Sequence, residues 1–300
     1  MGDFAAHVFE GALFLCISLW WIFHVFRQYI QTTQSGKQYK SYLSYHVTIK
    51  GKQIPFESLF FKTFCPFIGL VTDLFNEHWT FVDKENHFIH IVGLQHIVIH
   101  SLFVLHGISD LMEYYKLPAI KGMKYFTFSM ALFWFSLEFY FHSDPNMHKP
   151  PLENELHRLG IPLTALAGLA VLVECYHRDL ILPQILRCLC TLTLGTWYIY
   201  LANVLFLPTP FPGRLHNPAW DQHDERNVHF IVAAFGLHLI FNMMFMMTSF
   251  VVMSVCYKVP CLERLLGGQR KNYHYSSLQN FDNTETGFMP EKDSLILNEV

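Results

Sequence analysis

The stretch Gly93–Asp110 reads GLQHIVIHSLFVLHGISD, an apolar run that carries His96, His100, His106 and Asp110. Imidazoles and carboxylates together suit two kinds of chemistry: holding a divalent ion such as zinc, or relaying protons near neutral pH. At about 100° per residue, His100 falls near +40° from His96, Asp110 near −40° and His106 near −80°, so the four share an arc of about 120°. The opposite face carries Ile91, Val98, Phe103 and Val104. Ionisable side chains on a membrane helix face a bundle interior or a wet cavity and mark functional sites by default. The stripe is about 21 Å long at 1.5 Å per residue, too long for one coordination site. His96 and His100 are therefore expected in the outer half, and His106 and Asp110 near the cytosolic end, where snorkelling to water is easy.

Other apolar runs bring polar groups to a similar outer depth: His7, Asp73, Glu138 with His142 four residues on, His157, His238, and Asp221 in NPAWDQHDERN. A metal-assisted hydrolase of a lipid or amide would use His96, His157 and His238 as zinc ligands and Glu138 or Asp73 as general base, since a bound ion lowers the pKa of water to about 7. A proton or cation transporter would use the same residues as a path, although no inverted repeat or broken-helix pair is visible. In a membrane scaffold or trafficking component they would only hydrogen-bond neighbouring helices. The His96/His100 pair lacks the His-Glu-x-x-His setting of a soluble metalloprotease, and no Walker loop, dinucleotide fingerprint or Gly-x-Ser-x-Gly elbow occurs.

The elements that must position these residues are membrane spans. The 300 residues are 52% hydrophobic and only 15% charged, against about 25% charged in soluble domains. A spanning helix needs roughly 20 mostly apolar residues. The runs that qualify are Phe4–Phe26, Phe56–Phe75, Phe88–Ser109, Ile120–Phe141, Leu159–Tyr176, Ile185–Leu207 and Val228–Cys256. The expected fold is all-α: a polytopic seven-transmembrane-helix bundle over residues 1–260, followed by a disordered cytosolic tail over 261–300, whose polar composition lacks helical periodicity.

Arg27, Lys37, Lys40, Lys50 and Lys52 crowd the first loop; Lys116, Lys121 and Lys124 the third; Lys258, Arg264, Arg270 and Lys271 follow the last span. Basic loops stay cytoplasmic, which predicts an outside or lumenal N-terminus and a cytosolic C-terminus. The tyrosine-rich basic loop RQYIQTTQSGKQYKSYLSYHVTIKGK suits anionic lipid, so the bilayer is the expected partner and nucleic acid is not. The seven cysteines fall in spans or at the cytosolic boundary, where disulfides are rare.

The blocks AHVFEGALFLCISLWW, ENHFIHIVGLQH, HKPPLENELH, LGTWYIYLANVLFLP and WDQHDERNVHFIVAAFGLH, in this order, resemble the transmembrane protein 45 family. The resemblance implies a seven-span membrane protein with no established reaction. It ranks His7, Asp73, His87, Gln95, His96, Glu138, His157, Asp221 and His238 as family-like positions, and His100 and His142 as features of this chain. The family's His-x-His before Pro-Pro is replaced here by HSDPNMHKPP.

Two tail motifs remain. YSSL at Tyr275–Leu278 has the form of a tyrosine-based sorting signal, and EKDSLI, with Glu291, Leu295 and Ile296, that of an acidic dileucine signal. Read by sorting adaptors on an extended segment, they predict cycling between the plasma membrane and endosomal or lysosomal membranes.

Overall fold

A computed structural model describes residues 4–144, 149–206 and 220–258. Its helices are α1 (Phe4–Gln34), α2 (Cys65–Asn76), α3 (Ile91–Tyr114), α4 (Met123–His142), α5 (Pro151–Arg158), α6 (Gly160–Tyr176), α7 (Leu182–Phe206) and α8 (Glu225–Cys256). A π-helical segment, Glu57–Phe64, leads directly into α2. A short antiparallel hairpin, β1 (Val47–Ile49) with β2 (Lys52–Ile54), turns through Gly51 at φ 77°; it is the one strand pair in an otherwise helical chain among the described residues.

Six helical rods are long and apolar enough to cross a bilayer: Phe4–Gln34, Glu57–Asn76, Ile91–Tyr114, Pro151–Tyr176, Leu182–Phe206 and Glu225–Cys256. The expected fourth span, α4, has the length, at 20 residues, but it is not in this apolar set: it carries Lys124, Glu138 and His142 besides its Thr, Ser and Tyr residues. Several bounds also differ from the hydropathy reading. α1 continues to Gln34 because Arg27, Gln28 and Gln31 are good helix formers, and a helix of 31 residues, about 46 Å long, outruns a bilayer core of about 30 Å. The fifth rod gains α5, whose polar sequence hides it from a hydropathy scan. α5 ends at Arg158 because Pro162 cannot donate to that carbonyl. Pro66 likewise cannot donate to Lys62, and the wider π turn before it carries Glu57, Ser58 and Lys62 inward.

The rods pack in the order α2, α3, α4, α6, α7, α1, with α8 against α7, α5 and α1. α1 and α7 approach most closely. A Cβ on Gly195 would lie 2.7 Å from the Leu15 backbone nitrogen, and one on Gly11 would lie 2.8 Å from Ile199 Cγ1. Small residues at such crossings let membrane helices meet backbone to backbone. The core is aromatic and aliphatic, built on Trp21, Phe128, Phe135, Phe139, Val171 and Tyr198. A satellite cluster joins Leu152 and Leu156 to Trp197 and Ile231, and Trp197 Nε1 donates to Leu156 O at 2.9 Å.

The loop at one end of the bundle folds back into it. Tyr39, Ser41, Leu43, Ser44 and Tyr45 are buried. Arg178 donates to Ser41 O at 2.8 Å, Gln184 to Tyr42 O at 2.7 Å, and the Tyr45 amide to Glu57 at 2.8 Å. Tyr39 donates to Gln184; burial, with Glu174 nearby, pushes its phenol above the ordinary range, so it remains a donor.

Candidate functional site

The polar stripe of α3 divides between the two ends of the bundle, and the ends differ in charge balance. His106 and Asp110 do not snorkel: they are 0% and 3% exposed. Asp110 accepts from Ser44 at 2.5 Å and Ser58 at 2.6 Å and pairs with Lys62 at 3.3 Å. Lys62 also pairs with Glu57 at 2.8 Å, and Glu57 accepts from Trp20 at 2.9 Å and Trp21 at 2.8 Å. Arg187 pairs with Glu174 at 3.2 Å and lies over the Trp21 ring at 4.2 Å. Lys124 lies 3.9 Å from Asp110. At this end Glu57, Asp110 and Glu174 each meet a cation, as buried charges must.

The other end is different. The alternating direction of the rods brings together the start of α1, the end of α2, the start of α3, the end of α4 and the last turn of α5. His96, Glu138 and His142 each offer a ligand atom within 4.8 Å of the others. The His96 and His142 rings stack, with centroids 5.4 Å apart and planes 8° from parallel. Glu138 and His142 are 6% and 9% exposed. Neither Glu138 oxygen, nor His142 Nε2, has a hydrogen-bond partner among the described residues. His142 Nδ1 meets the Glu138 carbonyl at 3.0 Å, and His157 Nδ1 meets the Glu153 carbonyl at 2.8 Å. A carbonyl can only accept, so Nδ1 carries the proton and Nε2 presents its lone pair. Metal-ligating histidines are oriented in this way by their other nitrogen.

A second ring of groups surrounds these three. The His157 ring lies 6.0 Å from His142 and 6.2 Å from His7. Asp73 pairs with His100 at 3.4 Å, and the His100 ring fills the space left by the missing side chain of Gly69. Glu10 lies beside the Tyr198 hydroxyl, and both Glu10 and Asp73 are near enough to act on the charge of Glu138. Two histidines and a carboxylate form a donor set that zinc accepts, and three protein ligands leave a fourth position open, as in catalytic zinc sites.

The sequence-derived candidates distribute as follows. His96, Glu138 and His157 come together with His7, and Asp73 stands beside them. His238 does not join them: its ring lies 5.5 Å from Trp197 and 5.1 Å from Tyr200. His87 is on the exposed loop between α2 and α3, near Asp83 and Glu85, and Gln95 is half-buried on α3. Asp221 is exposed and accepts from the His223 amide at 2.9 Å. Tyr275, Leu278, Glu291, Leu295 and Ile296 lie outside the described residues. Sequence reasoning set His142 aside as a local feature, yet it supplies one of the three donors. It also passed over Glu10, whose signal was present: a carboxylate three residues after His7 within an apolar span.

Residues 121–251 match the model of a family described as a family of unknown function (DUF716), the family that includes the transmembrane protein 45 proteins. The match runs from the start of α4 through most of α8. Glu138, His142 and His157 fall inside it, and His7, Glu10, Asp73, His96 and His100 outside it.

Proposed function

We propose that this chain is a seven-span membrane protein that holds a divalent ion, zinc by its donor set, between α3 and α4, and uses it to hydrolyse an amide or ester bond. One observation carries this reading. Glu138 is buried without a cation or hydrogen-bond donor, beside two imidazoles whose ligand atoms are within 4.8 Å of its own. Packing alone leaves such a carboxyl without partners, and burying it is costly whether it keeps its charge or takes up a proton. A divalent ion compensates it and uses the free lone pair of His142.

The seventh span is α4. Its exposed residues are Phe126, Met130, Trp134, Leu137 and Phe141, spaced three or four apart, with Tyr140 at the end of the helix, while Thr127, Ser129, Ser136 and Glu138 are buried. Apolar side chains outward and polar ones inward is the arrangement of a helix that faces lipid. The basic loops then orient the site end outside or lumenally.

The transporter reading needs a polar path through the full depth. The inward-folded loop opposes it, because Leu43, Ser44 and Tyr45 close the far end over the Glu57–Lys62–Asp110 network. A site reached from one side suits chemistry better than transit. An ion held here would supply water acidified toward a pKa of about 7. Asp73, oriented by His100, is the carboxylate that takes the proton as the water oxygen bonds to the carbonyl carbon. It returns that proton to the nitrogen or oxygen that leaves as the C–N or C–O bond breaks.

The test is release of fatty acid from a panel of amide- and ester-linked lipids in proteoliposomes. Release that stops with a chelator, returns with zinc and is lost in Glu138→Gln supports the reading. No release from any lipid by protein shown to carry the ion overturns the hydrolase assignment.

A further inference from the structure

The access route and the substrate class follow from how the rods close around the site, an inference that rests on the hydrolase reading. We infer that the site opens sideways between α1 and α2, and that its substrate is a membrane lipid whose amide or ester linkage lies at the boundary between acyl chains and headgroups.

The ring of helices is incomplete at that point. α2 packs on α3, while α1 packs on α7 and α8, and α1 and α2 share no comparable face. Among the described residues, the side-chain hydrogen bonds between their rods lie toward the far end, where Trp20 and Trp21 donate to Glu57 and Trp20 lies against Phe56. Above that tie the two helices run as the walls of a gap. On α1 the residues on Trp20's side are Cys16, Leu13 and Phe9, at helical steps of three and four. Phe9 and Cys16 are exposed and Leu13 is half-exposed. Cys16 is within electrostatic reach of Cys65, which opens α2. Seven residues from each toward the site end bring Phe9 and Thr72 to one level, both exposed.

The polar site faces this gap. Asp73 on α2 pairs with His100 of α3 at 3.4 Å and is near enough to Glu10 on α1 and Glu138 on α4 to act on their charges. Asp73 and His100 side chains are 21% and 18% exposed, whereas Glu138 and His142 are below 10%. Asp73 and His100 are thus partly exposed on the α2 side, as His7, Glu10 and His96 are on α1 and α3, and Glu138 and His142 are behind them.

Depth selects the substrate. His96 is about 7.5 Å inside the start of α3, Glu138 about 6 Å inside the end of α4 and Asp73 about 4.5 Å inside the end of α2, at 1.5 Å per residue. Of a bilayer of about 40–45 Å, about 30 Å is hydrocarbon, which leaves each headgroup layer about 5–8 Å. The site therefore sits at the level of the linkages that join acyl chains to a lipid backbone. The walls at that level are apolar enough to take the chains, through Phe9 and Leu13.

The experiment joins Phe9→Cys to Thr72→Cys with a short bifunctional maleimide in a background with Cys16 and Cys65 replaced by serine. Each single variant serves as a control, and metal content confirms that the site is intact. The probe is a diacyl phosphatidylcholine with a photoreactive diazirine close to its carbonyl linkage, in nanodiscs. The expected result is adducts concentrated on α1 and α2 around Phe9, Leu13 and Asp73. Bridging should reduce these at least tenfold, along with any lipid hydrolysis, at unchanged metal content. Adducts spread evenly over the lipid-facing helices, or labelling and turnover that survive the bridge, overturn the lateral entry. Bridge-sensitive labelling without turnover supports the entry while overturning hydrolysis, so the two readings fail separately.

Discussion

Replacing Glu138 by glutamine should change stability in opposite directions with and without metal. In metal-free protein Glu138 is 6% exposed and both oxygens lack a partner. Leaving a buried polar group unsatisfied costs about 1–3 kcal/mol, and more for a charged one. Glutamine keeps the shape and, although its amide is equally without partners, removes the charge, so metal-free Glu138→Gln should be more stable than metal-free wild type by the extra cost that the charge adds. An ion at one hundred times its dissociation constant stabilises the form that binds it by about 2.7 kcal/mol. At about 2–4 °C per kcal/mol for a chain of this size class, wild type should gain about 5–11 °C with zinc. The variant, lacking its anionic ligand, should gain little. The order of melting temperatures therefore reverses between chelator and zinc. Tryptophan fluorescence melts in nanodiscs report this directly. If Glu138→Gln melts below wild type in chelator, Glu138 has a structural partner and the argument from an uncompensated carboxylate fails.

Other expectations concern the rest of the bundle. Lys62→Met removes the cation that bridges Glu57 and Asp110, leaving Asp110 only the more distant Lys124, and should destabilise by about 3–5 kcal/mol; adding Asp110→Leu and Glu57→Gln should recover much of this, and an additive loss in the triple variant would contradict a closed charge network. Gly195→Val puts a side chain against the Leu15 backbone and should cost about 1–3 kcal/mol, the range of overpacking, while Gly236→Val, with nothing within 4 Å of its added Cβ, should be near neutral. If the tail is cytosolic and its motifs are read by adaptors, Tyr275→Ala with Leu295→Ala and Ile296→Ala should raise the surface pool; an unchanged pool and uptake rate would remove sorting from the account.

The rods were legible because a bilayer demands long apolar runs: six of the expected runs correspond to rods long and apolar enough to cross one, while α4 has the length but not the hydropathy and α5 is polar. Their ends were less so, since Arg27–Gln34 extends α1 on helix propensity and the π turn before Pro66 leaves no hydropathy trace. For the site, the helical wheel of α3 put His96 and His100 on one face, and their distance from Asp110 argued for two sites. What sequence could not supply was which helices stand side by side. That order, α2–α3–α4 with α1 across the gap, brings His142 to His96 and leaves His238 with Trp197 and Tyr200. The Glu57–Lys62–Asp110 and Glu174–Arg187 pairs were likewise hidden, because a buried ion pair is recognised by the partner's position and not by its place in the chain.

The central claim is the ion itself, and the most direct measurement is metal content of protein purified without chelators, by inductively coupled plasma mass spectrometry. Wild type is predicted to carry one divalent ion per chain. Glu138→Gln and His142→Ala should fall to background, and His238→Ala should retain the wild-type content. Wild-type protein free of metal, or a loss in His238→Ala with none in Glu138→Gln, would contradict the site described between α3 and α4.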